Sequence, residues 1–146
     1  MFFWRISRHR DLRGAGGLTL AGRWHHAGQP VVYLAESPAA ALLEVCVHTV
    51  ASAVMPTFTL LKIVGPGVTV AEIQRNQLPS DWQAQIEVTR NLGTQWLRGN
   101  SSLLLQVPSV ILPETNNYLF NPLHRDAKTF AVVETIEHPF DPRLKR

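Results

Sequence analysis

Apolar and polar positions alternate in several short runs along this chain and lose their alternation in one long one. In VVYLA, residues 31–35, Val31, Tyr33 and Ala35 share one side and Val32 and Leu34 the other, the pattern of a short strand. Ser37 and Pro38 follow as an N-cap residue and a first-turn proline, and AAALLEVCVHTV then runs without a breaker to Val50, which predicts a helix. Its expected apolar face is Ala39, Leu42, Leu43, Cys46 and Val50, with Glu44 and His48 one turn apart on another side. PTFTLLKIV, residues 56–64, reads as a strand stopped by Gly65, Pro66 and Gly67, and VTVAEI as the next. The middle of the chain, LPSDWQ through EVTRNLGTQWLRG, has helical character with an interruption expected at Gly93. Three strands close the chain: SLLLQVPSVIL, bent or at an edge at Pro108, YLF after a turn at Asn116 and Asn117, and TFAVVETIEH. Strands at both ends with helices between them predict an α+β fold, a single mixed domain over residues 1–146 with a central sheet flanked by helices.

Composition narrows the class. A chain of 146 residues that is 45% apolar and 17% charged can bury one ordinary core, which excludes a disordered tail or a string of modules. Only four apolar residues precede Arg5, and no apolar run approaches the ~18 residues a bilayer requires, so a cytoplasmic protein with no membrane contact is expected. One cysteine, Cys46, excludes an internal disulfide framework and cysteine-rich zinc sites.

Charge changes the picture more. Arg5, Arg8, Arg10, Arg13 and Arg23 stand against Asp11 in the first 25 residues, whereas acidic and basic residues nearly balance in the remainder. Arginine presents a planar fork that grips phosphate or carboxylate with two hydrogen bonds. The front of the chain therefore suits nucleic acid, a phosphorylated small molecule or an acidic segment of a partner.

Several residues carry candidate chemistry. Arg23 and Trp24 pair a cation with a stacking surface, and Gly28 lets the backbone turn back into the strand that holds Tyr33. Glu44 interrupts an apolar run, and a carboxylate near a buried face must be paired or used. Ser109 lacks the glycines of a hydrolase elbow but can still hold a ligand, and Asn117, Asn121 and His124 gather polar groups where a strand ends. His25 and His26 are neighbours that a strand would point apart, which argues against a metal site; Cys46 and His48 lie two apart on a helix and do not form a nucleophile and its base.

Arg5, GRW at 22–24, G-x-x-V-x-Y at 28–33, A-E-S at 35–37, A-L-L-E-V at 41–45, V-P-S at 107–109 and N-P-x-H at 121–124 together resemble the RES domain family, in register over nearly the whole chain. The resemblance implies a toxin of a bacterial toxin–antitoxin pair that degrades NAD on a fold similar to that of ADP-ribosyltransferase toxins. By the same resemblance Glu44 is the catalytic carboxylate facing the nicotinamide ribose, Arg23 and Arg5 hold the pyrophosphate, and Tyr33 borders the nicotinamide beside Trp24. Ser109 and Asn121 fix the nucleotide. NAD is then a consumed substrate, and no cofactor or metal is expected. The implied partner is a cognate antitoxin of the Xre type covering the active site, with DNA contacted only through it and a homodimer left open. The sequence departs from the family pattern at His25, where Asn is frequent, and at Ala21, where a second glycine is. Two other functions fit the same residues, an ADP-ribosyltransferase acting on a macromolecule and a basic nucleic-acid-binding module.

Overall fold

The computed structural model describes residues 1–48 and 56–144. Seven strands, β1 (Phe2–Ile6), β2 (Val32–Ala35), β3 (Thr57–Val64), β4 (Val70–Glu72), β5 (Leu104–Pro108), β6 (Asn116–Phe120) and β7 (Ala131–Pro139), form one sheet in the order β4-β5-β6-β2-β1-β3-β7. Only β4 and β5 run parallel; every other neighbouring pair is antiparallel. Among the described residues three α-helices, α1 (Gly16–Thr19), α2 (Pro38–His48) and α3 (Ile86–Gly99), complete the mixed α+β domain. No helix among the described residues is long and apolar enough to cross a membrane.

Alternation along the strands sorts side chains into two apolar layers. Phe3, Val32, Leu34, Leu61, Ile63, Leu104 and Phe120 fill one, with Phe130. Val31, Leu105, Val107 and Leu119 form the other, where Trp24, Trp82 and Leu97 of α3 cover them. Ser37 caps α2 as the sequence predicts, its Oγ accepting the Ala40 N–H at 3.1 Å, a contact of about 1 kcal/mol.

The pairing is uneven, and the unevenness makes the site. β1 holds β3 over five residues, from Phe2 opposite Val64 to Ile6 opposite Leu60, and β2 holds β6 from Val32 opposite Phe120 to Ala35 opposite Asn117. Between β1 and β2 the register contains one pair, Trp4 opposite Ala35. The two halves of the sheet diverge from that point.

Three expectations change. Helix α2 buries Ala40 and Ala41 against Ala35, Trp4 and Ile6, while Ala39 is exposed and Leu42, Leu43 and Cys46 are half-buried. A helix apolar nearly all round gives periodicity nothing to choose with, and the small alanines win because they let the helix sit close on the sheet. Its expected continuation to Val50 lies outside the described residues. Asn116 and Asn117 are paired strand residues; the turn precedes them at 111–115, where the Thr115 N–H donates to the Leu112 carbonyl at 2.8 Å. Gly93 does not interrupt α3. A Cβ at that position would overlap the Trp24 carbonyl, so the glycine lets the helix lie directly on the backbone of residues 22–26.

The Gly93→Ala variant should therefore lose about 3 kcal/mol of stability or more, the upper end of overpacking costs, because its obstacle is backbone and not a movable side chain. Chemical denaturation checks this, and a loss under about 1 kcal/mol would show that α3 can shift away from Trp24.

Candidate active site

Where β1 and β2 part, a cavity of about 380 Å³ opens, in the size range of small-molecule sites. Trp4, Arg5 and Ile6 of β1 face Tyr33, Leu34 and Ala35 of β2 across it. Ala41, Glu44, Val45 and His48 of α2 form a second wall, one helical face spaced by three and four residues. Gly22, Arg23 and Trp24 form a third, and Val110 and Asn117 close the far side.

Glu44 is held from behind. Its Oε1 accepts hydrogen bonds from Ser109 Oγ at 3.0 Å and from Asn117 Nδ2 at 2.7 Å. Ser109 is itself fixed, since its oxygen accepts the N–H groups of Ile111 and Leu112 at the turn after β5. The second carboxylate oxygen lies 3.5 Å from His48 Nε2 on the next turn of α2. Two donors on one oxygen fix the carboxylate plane and leave the other oxygen available to the cavity.

Both cations expected from the sequence reach the same space. Arg5 donates through Nη1 to the Asp11 carbonyl at 3.4 Å, and Arg23 through Nη2 to the Trp82 carbonyl at 2.7 Å, with its guanidinium over the Trp82 ring. The buried Nε–H of Arg23 has no partner among the described residues. Burial pushes the pKa of Arg5 down against the opposing pull of Asp11, and that of Arg23 down with Arg90 adding to the effect. Both remain charged at neutral pH. Partly desolvated guanidinium groups that donate to neutral carbonyls attract an anion.

The turn that carries Arg23 is gripped by α3. Thr89 Oγ1 donates to the Arg23 carbonyl at 2.8 Å, Arg90 Nε donates to the Gly22 carbonyl at 2.8 Å, and the His26 N–H donates to Thr94 Oγ1 at 2.9 Å. These contacts span more than sixty residues of sequence, which is why no local pattern announced Thr89, Arg90 or Thr94. His26 Nε2 meets Asn91 Oδ1 at 2.7 Å, and among the described residues no cluster of His, Cys, Asp or Glu could hold a metal.

Glu44, Arg23, Tyr33, Arg5 and Trp24 are thus brought to one cavity, though not all as expected. Trp24 is 2% exposed and its ring packs 5.9 Å from that of Trp82, so it forms the base of the wall and offers no free stacking face. Ser109 stands behind Glu44, outside the lining. Asn121 is also outside it: its amide donates to the Leu97 carbonyl and Asn100 Oδ1 and accepts the Leu123 N–H, tying the end of α3 to the strand end. Its neighbour in the sequence cluster, Asn117, is the asparagine at the site. His48 also lines it, signalled only by its spacing from Glu44. Along the front edge, Arg10 approaches Glu137 and Arg13 pairs with Asp11, so part of that charge is already matched within the chain.

Burial pushes the Tyr33 phenol well above its ordinary pKa, more than the Trp24 N–H it accepts can lower it. A group whose folded pKa is raised supports the fold below its unfolded pKa and loses that support as pH rises through the folded value. In a Tyr118→Phe background, where Tyr33 is the remaining tyrosine, ultraviolet titration should show no native tyrosinate at pH about 10, the usual midpoint, and a rise only as the protein unfolds in stronger base. Half-ionisation of the folded protein at that pH would mean that Tyr33 is solvated.

A family model described as the RES domain matches residues 2–141. A Pseudomonas putida protein named toxin Res is 49% identical over 146 residues, covering 99% of both chains. A Yersinia enterocolitica protein of the same name is 37% identical, covering 99% of this chain and 100% of the relative. A Sphingobium protein named Prs ADP-ribosylating toxin is 36% identical, covering 99% of this chain and 96% of its own. A chain of the M. tuberculosis MbcT–MbcA toxin–antitoxin complex has the same fold, with a TM-score of 0.71 at 16% identity over 94% of this chain and 84% of that one. With a family model spanning all but the chain's ends and relatives alike over their whole length, the chain belongs to the RES domain family.

Proposed function

We propose that this protein is a toxin of a toxin–antitoxin pair that consumes NAD by breaking the bond between nicotinamide and ribose. The observation that carries the reading is the pairing within one cavity of a doubly anchored carboxylate, Glu44, with two partly desolvated guanidinium groups, Arg5 and Arg23. NAD presents the complementary charges, a pyrophosphate and a cationic ring on a ribose.

The nicotinamide of NAD leaves as a neutral molecule, so its departure requires no proton. The C1′–N bond breaks with its electron pair passing to the ring nitrogen, and positive charge builds on the ribose C1′ and ring oxygen. A carboxylate fixed beside the ribose before the reaction stabilises that charge without reorganising, which is the main electrostatic contribution an enzyme makes. Ser109 and Asn117 hold Glu44 Oε1, leaving Oε2 to accept a ribose hydroxyl; Arg23 and Arg5 hold the pyrophosphate, and the Tyr33 ring borders the nicotinamide. An oxygen of water or of inorganic phosphate then bonds to C1′, and water passes its proton to solvent.

The Sphingobium relative's name favours a second reading, in which a macromolecule accepts the ADP-ribose. NAD labelled in its adenosine half separates the two: label confined to small molecules supports NAD degradation, and label on protein or nucleic acid supports transfer. An enzyme that drains NAD would harm its own cell, and a cognate antitoxin seated over the cavity mouth is the simplest restraint. The names of the relatives and of the MbcT–MbcA complex support that arrangement.

Glu44→Gln keeps the side-chain shape and removes the charge, so NAD turnover should fall roughly 10²-fold or more with melting temperature unchanged. Near-normal turnover in the folded variant would make Glu44 structural. Arg23→Lys keeps the charge and loses the fork; KM for NAD should rise about tenfold, the scale of one charge-assisted hydrogen bond. Unchanged steady-state constants would place the pyrophosphate away from Arg23.

A further inference from the structure

His25 is 2% exposed, and the proposed chemistry does not use it. Its two ring nitrogens meet different partners. Nε2 lies 3.3 Å from the Gly17 carbonyl oxygen, which can only accept, so Nε2 carries the proton. Nδ1 lies 3.2 Å from the backbone nitrogen of Gly22, whose N–H is shared with the His25 carbonyl at 3.1 Å, and in a neutral ring protonated on Nε2 it is the acceptor. The direction of the next bond follows. The Tyr33 hydroxyl, 2.7 Å from Nδ1, donates to it, and its oxygen lone pair accepts the Trp24 N–H at 3.1 Å.

We propose that neutral His25, protonated on Nε2, is a positioning residue that turns the Tyr33 hydroxyl away from the ligand and fixes the Gly22-Arg23-Trp24 turn against β2. Tyr33 then offers the cavity its ring face and no proton. The inference rests on the NAD reading for its kinetic consequence, but the hydrogen-bond directions stand on geometry alone.

Two further observations fit. A Cβ on Gly22 would overlap the Tyr33 hydroxyl, so the turn and the phenol are already in contact. Burial pushes the His25 pKa below its ordinary value, with Arg90 and His26 acting in the same direction against the accepting carbonyls of Gly17 and Leu20. A protonated ring would aim a second N–H at the Gly22 N–H and break the chain of bonds.

The substitutions separate the two nitrogens. In Asn the side-chain oxygen takes the place of Nδ1, and in Gln the terminal amide takes the place of Nε2. His25→Asn should keep KM for NAD within about threefold of the wild type, whereas His25→Gln should raise KM about tenfold with kcat little changed, the scale of one lost hydrogen bond. Arg23 and Tyr33 belong to the binding wall while Glu44 sits on α2, so positioning acts on KM; a merely structural defect would lower the active fraction, and with it kcat, at constant KM. Equal effects of Asn and Gln, or an unchanged KM in Gln, overturn the proposal. Nitrogen NMR of His25 in the wild-type protein reads the tautomer directly: Nε2–H at neutral pH is expected, and Nδ1–H or imidazolium overturns the proposal whatever the activity. A wild-type chain that neither binds nor consumes NAD, yet shows Nε2–H, refutes the NAD reading and leaves the hydrogen-bond network standing.

Discussion

Strands β1 and β2 are neighbours in the sheet yet share one register pair, Trp4 opposite Ala35, and the site depends on that scarcity. A fully paired sheet is a closed surface whose side chains pack between layers. Here the pairing stops, the two halves part, and side chains from both lips reach the same opening: Arg5 and Ile6 from one, Tyr33 and Leu34 from the other. Helix α2 lies across the join on small alanines and lowers Glu44 into the gap.

An opening between half-sheets would be a poor site if its charged groups moved, and two separate devices prevent that. Side-chain donors from the turn after β5 and the start of β6 hold Glu44, and helix α3 holds the backbone of the Arg23 turn through Thr89, Arg90 and Thr94. Every one of these contacts joins segments more than sixty residues apart. The site is thus a property of the completed fold, its charged groups held in place by contacts that only that fold brings together.

What the sequence revealed divides along the same line. Local patterns identified β2, the Ser37 cap and the catalytic-looking helix, because period-two alternation and capping chemistry are short-range physics. Glu44 stood out since a carboxylate inside an apolar run demands an explanation, and Arg23 since an arginine beside tryptophan ahead of a glycine turn does. The grip of α3 was invisible: Gly93 reads as a helix breaker from its propensity, and only the Trp24 carbonyl above it shows that the missing Cβ is the point. Asn121 and Asn117 look alike in sequence, yet Asn117 lies within β6 and reaches Glu44, whereas Asn121 falls just past the strand's end and is buried against the end of α3. His25 could be judged unsuited to metal from its neighbour, but its role as an acceptor requires Gly17, Gly22 and Tyr33 in place around it.

The central claim is that one cavity places the carboxylate at the nicotinamide ribose and the guanidinium groups at the pyrophosphate of the same molecule. A crystal structure of the Glu44→Gln variant grown with NAD tests it most directly. The account predicts intact NAD spanning the opening between β1 and β2, its nicotinamide ribose within hydrogen-bonding distance of residue 44 and its pyrophosphate on Arg23. NAD bound elsewhere, or seated in the cavity with its adenosine against residue 44, would contradict it.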